Sequence, residues 1–183
     1  GQRLGDLHDL LLPDPQVADD LIGVDVLAQA RQQLLRARPL GRLVDDDLEL
    51  IVAAKEPGNP ALNYVPTYRF KMMATDRYQE LGGIDLRIGN TPHILLYGGH
   101  IGYHVWPPYR GHHYAARSVR LLLDLARSHG LNPLWITCNP DNLASRRTCE
   151  LAGFEFVEIV DLPENTDMYR EGERQKCRYK LYL

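Results

Sequence analysis

The 183-residue chain has little cysteine: Cys138, Cys149 and Cys177 stand apart, with no C-x-x-C pair. That excludes a disulfide scaffold and a zinc knuckle, and it fits a reducing cytoplasm. Charge of one sign is also scarce, since 21 basic residues face 24 acidic ones for a net charge of −3. Nucleic acid is therefore not an expected partner, because backbone binding needs a basic surplus. No apolar run is long enough to cross a bilayer, and the start lacks the basic-then-apolar pattern of a leader. The expected location is the cytoplasm, with no membrane partner. No H-E-x-x-H or facial carboxylate pattern accompanies the histidines, and His100 and His104 would stand ~13 Å apart along a strand. No metal is expected.

What is present has a clear order. Residues 1–47 read as an acidic, helical section that is an extension or an acceptor-side element. Val17, Leu21, Val24, Leu27 and Leu34 recur at loosely helical spacing, Asp14–Pro15 marks a helix start, and "RPLGRLVDDD" resembles a connector. From Leu48 the period falls to two, through "LELIVAA", "TYRFKMM" and "GGIDLRIG", which predicts an antiparallel meander of three or four strands. "HILLYGGHIGYHVW" extends it as one long or bulged strand, its glycines marking the bulge. The period then rises to 3.6 for a helix over 114–129, stopped by Gly130. A short strand "NPLWITC" follows. A second helix comes next, capped by Asn139 or Asp141 and ended by Gly153. Strand "FEFVEIV", a long polar loop "DLPENTDMYREGERQ" and a last strand "KCRYKLYL" complete residues 48–183. This order predicts an α/β fold with a mixed, largely antiparallel central sheet flanked by helices.

The joint before the first of these helices carries the chemistry. "PPYRGHHYAARS" runs from an apolar strand into a helix N-terminus, where unpaired N–H groups and a partial positive charge favour anions. Arg110 adds a fork suited to phosphate, and Gly111 lets the backbone approach closely. On spacing alone, an ordinary strand–loop–helix joint explains the stretch equally well.

Several motifs in order resolve that tie. Residues 110–115 read R-G-H-H-Y-A, "HIGYHV" precedes them, and "NPDNLASRRTCELAGF" follows. Together they resemble the GNAT superfamily of acyl-CoA N-acetyltransferases, closest in style to its amino-terminal, ribosomal-protein branch. The family's loop is R/Q-x-x-G-x-G/A, often R-G-x-G-x-A; Arg110, Gly111 and Ala115 match, and His113 replaces the central glycine. The resemblance spans roughly residues 48–183.

It implies acetyl-CoA as cosubstrate, lying where two strands splay, and a homodimer at the level of the family. The pyrophosphate would rest on Arg110, Gly111, His112, His113, Tyr114 and Ala115. The pantetheine would pair near Tyr103, His104 and Val105, with Asn139 or Asn142 as a further contact. A neutral primary amine, on a small molecule or a peptide, would attack directly in a ternary complex. His100 stands where relatives often carry a glutamate base, and an imidazole can do that work near neutral pH. Cys149 stands where relatives place a tyrosine acid, so the expected proton donor is Cys149 or Tyr103, with Tyr114, Tyr169 and solvent as alternatives. The lost glycine and the lost helix tyrosine also fit a second reading, an acetyl-CoA-binding module without transferase activity. The acceptor site is expected from residues 1–47, the stretch around 55–67 and the acidic loop after Asp161.

Overall fold

The computed structural model describes residues 42–59, 61 and 64–183. The helix expected around residues 15–38 lies outside the described residues. Period-two alternation forms β1 (Leu43–Asp45), β2 (Leu48–Glu56), β3 (Thr67–Ala74), β4 (Glu80–Arg87) and β5 (Ile101–Val105). They hydrogen-bond in that order as one five-stranded antiparallel sheet. β1 falls inside the stretch expected to be a connector; it pairs Leu43 with Leu50 across a tight turn in which Asp46 takes φ 53°.

One face of this sheet is the core. Leu48, Leu50, Tyr68, Phe70, Met72, Ile84, Leu86 and Ile101 are buried on it. Each such side chain contributes about 1.5–3 kcal/mol by leaving water. α1 (Tyr114–Leu121) and α2 (Leu123–Ser128) follow β5 and bury Ala116, Val119, Leu125 and Ala126 in the core. The single helix expected over 114–129 divides at Leu122, whose N–H bonds Val119 O, three residues back rather than four.

β6 (Leu134–Cys138), α3 (Leu143–Leu151), β7 (Glu155–Asp161) and β8 (Gln175–Leu181) come next, and the polar loop before β8 holds a short helix, α4 (Asp167–Arg170). The last three strands form a second antiparallel sheet in the order β6-β8-β7. Among the described residues, no helix is long and apolar enough to cross a membrane.

The long strand expected over 93–106 is not continuous. Ile94–Gly98 coil into a π-helical turn, and Gly99 at φ 65° reverses the chain before β5 begins. Gly99 is required there twice over, since a Cβ would also lie 3.0 Å from Thr137 N. An apolar run rich in glycine suits a strand or a coil equally, so periodicity alone does not separate them.

β5 ends the first sheet and β6 begins the second. At the base they are stapled: His100 N donates to Trp135 O at 2.7 Å. Beyond that point no ladder joins them among the described residues, so the two strands bound a cleft. Arg87 N donates to His100 O and Trp106 N to Leu81 O, which sets the alternation along β5. Its even-numbered residues pair with β4, and Ile101, Tyr103 and Val105 turn their backbone groups toward the cleft.

Candidate functional site

The loop leading into α1 forms one wall. Gly111 takes φ 90° and His113 takes φ 58°, ψ 20°, both left-handed. The position that relatives fill with glycine thus keeps glycine's backbone angles, and a histidine is held in them at a cost of about 1 kcal/mol. Consecutive N–H groups from Gly111 to Ala116 have no hydrogen-bond acceptor among the described residues; the first one bonded is Arg117 N, to His113 O at 3.0 Å. This is a row of free donors at a helix N-terminus. Arg110 folds back, its Nε donating to Val105 O at 3.0 Å, so part of the fork is committed to the strand end. The His112 ring packs against Tyr114 at 5.6 Å.

The loop is anchored from behind. Arg117 Nε and Nη1 reach Asp45 and Asp47, each at 2.7 Å, and Tyr114 OH donates to Asp47 at 2.8 Å. Hydrogen bonds from Arg117 and Tyr114 hold the Asp47 carboxyl below its ordinary pKa. The first turn of α1 is therefore pinned to the β1–β2 turn.

Exchanging His113 for glycine should leave stability unchanged or raise it by up to about 1 kcal/mol, since strain relief competes with unfolded-chain entropy. His113→Val should lose about 2 kcal/mol and weaken acetyl-CoA binding, because a β-branched residue resists this region. Thermal unfolding with and without acetyl-CoA reads both.

His100 does not stand where a base is needed. It is fully buried, its Nδ1 accepts from Trp135 N at 2.9 Å, and its Nε2 lies 3.1 Å from Asn90 Oδ1. The backbone donor leaves Nδ1 unprotonated, so the ring is neutral and Nε2–H donates to Asn90. Burial pushes its pKa down to about 4. His100 is a cross-brace between β5 and β6, and it does not line the cavity described below. His104 likewise turns away: its backbone pairs with Gly83 on β4, and its ring packs on Trp106 at 4.6 Å.

Tyr103 reaches across the cleft to α3. Its hydroxyl lies 2.8 Å from Ser145 Oγ, 3.3 Å from Ser145 O and 4.0 Å from Cys149 Sγ. Burial raises its pKa well above that of an ordinary phenol, so it stays protonated. Cys149 itself is fully buried, and its thiol is held protonated by a hydrogen bond with Cys138 and by burial. It sits behind Tyr103 rather than on the cavity wall. Ser145 was not among the expected residues; its place in "NLASRR" marks it only as an ordinary helical position.

The two asparagines divide their roles. Asn142 Oδ1 accepts from Ser145 N at 3.0 Å and caps α3, a role expected of Asn139 or Asp141. Asn139 is free of the cap because its amide binds Glu173 at 2.8 Å and Lys176 at 2.7 Å.

A cavity of about 1290 Å³ opens beside these groups. Tyr103, Cys138, Asn139, Asn142 and Ser145 line one side; Arg69, Asp85 and Arg87 line another. Glu56–Asn59, with Tyr64, Val65 and Thr67, and the loop around α4 complete it, so two of the three segments expected at the acceptor side meet here. Of the other segment, residues 1–47, only 42–47 are described, and they do not line this cavity. Asp85 on β4 is partly buried, and burial raises its pKa despite Arg69 at 3.2 Å. Among the described residues, no cluster of three His, Cys, Asp or Glu could hold a metal.

The fold has counterparts among known proteins. The family model described as an acetyltransferase (GNAT) domain matches residues 27–155. No curated protein sequence matches the chain. Among solved structures, a probable GNAT-family acetyltransferase from Chromobacterium violaceum superposes with TM-score 0.56 at 18% identity, covering 79% of this chain and 87% of that one. RimL, a ribosomal L7/L12 alpha-N-protein acetyltransferase, superposes in its apo form with TM-score 0.54 at 17% identity, covering 76% of this chain and 96% of that one. Its complex with coenzyme A gives TM-score 0.50 at 16% identity, covering 64% of this chain and 62% of that one. At such identities the likeness is one of fold. The family match is independent of it and spans well over half of the sequence, so the chain belongs to the GNAT acetyltransferase family.

Proposed function

We propose that this protein transfers the acetyl group of acetyl-CoA to a primary amine held in the cavity between β4 and the α4 loop. The observation that carries this reading is the row of free N–H groups from Gly111 to Ala116 at the start of α1. Such a row fits the pyrophosphate of coenzyme A, and the RimL complex shows that a protein of this fold binds coenzyme A. The cleft-facing backbone of Tyr103 and Val105 suits pairing with the pantetheine arm, and Tyr103 N–H suits polarising the thioester carbonyl.

The proton roles move from the residues first expected. Asp85 lines the cavity with a raised pKa, which makes it the acceptor-side base, directly or through one water. A base must be ionised, so the rate should fall with acidification at a higher pH than an ordinary aspartate would give. Tyr103 brings a hydroxyl to within 4.0 Å of Cys149, so β5 supplies what α3 lacks there. Its raised pKa makes it a hydrogen-bond donor to the leaving thiolate rather than an acid that gives up its proton. The proton that ends on sulfur then comes through Ser145 and solvent in the cavity. Ribosomal-protein termini, the substrates in the names of several relatives, are one acceptor class within this reading.

The guanidinium N–H groups of Arg110 left free by the Val105 bond are assigned to phosphate. Arg110→Ala should raise the acetyl-CoA KM about 10-fold with little change in kcat, as expected for one charge-assisted bond. Calorimetric titration alongside a thiol-release assay reads this, and an unchanged KM would remove the phosphate site. Tight binding without turnover on any amine would favour the non-catalytic module instead.

A further inference from the structure

We infer that the acceptor carries a carboxylate as well as its amine, and that Arg87 binds it. This rests on the cavity being the acetyl-transfer site. Arg87 projects from β4 into that cavity, where its Nη1 donates to Gly98 O at 2.9 Å and Gly99 O at 3.1 Å. Those bonds fix the guanidinium plane. Its Nη2 lies over Gly102, close enough that a Cβ there would sit 2.9 Å from it.

The other cations on the wall are all paired. Arg69 bridges Glu56 at 2.6 Å and Asp85 at 3.2 Å, Lys176 meets Glu173 at 2.6 Å, and Arg170 meets Asp167. Arg87 alone among them has no carboxylate within salt-bridge distance among the described residues. A cation withdrawn from water is costly when its nearest carboxylate, Asp85, acts only at a distance and is in contact with Arg69 instead, unless a ligand provides a closer counter-charge. A guanidinium with a free edge matches a carboxylate better than any neutral group.

The anion is assigned to the acceptor rather than to coenzyme A. The loop at 110–115, where phosphates are proposed to rest, does not line this cavity. Arg87 is two residues from Asp85 on the same face of β4, so the two side chains start ~7 Å apart. Gly102, beneath the guanidinium, adjoins Tyr103, beside which the acetyl group is placed. An amine near Asp85 with a carboxylate on Arg87 is the signature of an amino acid or a comparable small amino-carboxylate. A protein N-terminus offers a carboxylate at that distance only as the Asp or Glu side chain of its first residues.

Matched acceptors test this: amino acids, their amides, and the corresponding amines lacking the carboxylate. The intact enzyme should favour the carboxylate-bearing member about 100-fold in kcat/KM, and Arg87→Gln should shrink that ratio to within about threefold. Gly102→Ala, which crowds Nη2 without removing a charge, should narrow the ratio part of the way if the first variant folds poorly. Equal turnover of acids and amides by the intact enzyme, or an unaltered ratio in Arg87→Gln, would overturn the assignment. Melting-temperature shifts with the same compounds give a readout that needs no turnover. Stabilisation by acids over amides, lost in Arg87→Gln, would uphold the Arg87 site even if no acetyl transfer occurred.

Discussion

Tyr103→Phe should lower kcat by about 100-fold while leaving the KM for acetyl-CoA within a fewfold of its original value. The phenol is proposed to meet charge that develops only as the thiolate leaves. Removing one donor to a developing negative charge in a water-poor site costs about 10²–10³ in rate. Phenylalanine keeps the ring that packs against the core, so the variant should fold. The hydroxyl also holds Ser145 Oγ at 2.8 Å, so Ser145→Ala should give a smaller loss by unfixing Tyr103. If Tyr103→Phe retains its rate and Ser145→Ala does not, the donor is the serine. Steady-state rates at saturating acceptor separate the two.

The second large effect is on stability and depends on pH. His100 titrates near 6.5 in an unfolded chain and at about 4 in the fold, because burial disfavours its charged form. A depressed folded pKa means that the unfolded chain takes up the proton first. The stability linked to this group is full above pH 6.5 and is lost as pH falls toward about 4. The loss is about 3 kcal/mol over that window. Acidic side chains with lowered pKa values, such as Asp47 and Glu173, add their own losses at lower pH. Urea unfolding at several pH values, comparing the original protein with His100→Gln, isolates the histidine. The variant should be less stable at pH 7.5 and should lose less on acidification to pH 5. Parallel curves for the two proteins would show that His100 is not held neutral as described.

His100 also shows where the sequence stops being legible. Its place before "IGYHV" resembles that of the family's glutamate, and its residue type suits a base. What decides its role is Trp135 on another strand and Asn90 before the π-helical turn, and no local pattern displays those partners. The same holds for Cys149: its position in the helix is readable, but the hydroxyl that covers it comes from Tyr103, 46 residues away. Asp85 and Arg87 read only as the polar half of an alternating strand until the fold sets them around a cavity.

The elements themselves were largely legible, since each is set by its own period and punctuation. β2 to β4, β6 to β8 and α3 fall where alternation, helical spacing, Gly130 and Gly153 place them. The departures occur where two local signals compete. Around 93–102 an apolar run and three glycines allow both strand and coil, and the approach of Thr137 selects the coil. At α3 the expected caps are Asn139 and Asp141, yet the helix starts at Leu143 and Asn142 takes the position, while Asn139 is engaged by Glu173 and Lys176. At the loop, His113 looked like a departure from the glycine pattern, yet its backbone keeps the left-handed conformation that the pattern encodes.

The most direct measurement is the rate of coenzyme A thiol release from acetyl-CoA as an amine acceptor is titrated in, with the acetylated amine identified by mass spectrometry. Release should rise hyperbolically with acceptor, with one acetylated amine formed per thiol. Saturable binding of acetyl-CoA with release that ignores every amine offered would contradict it.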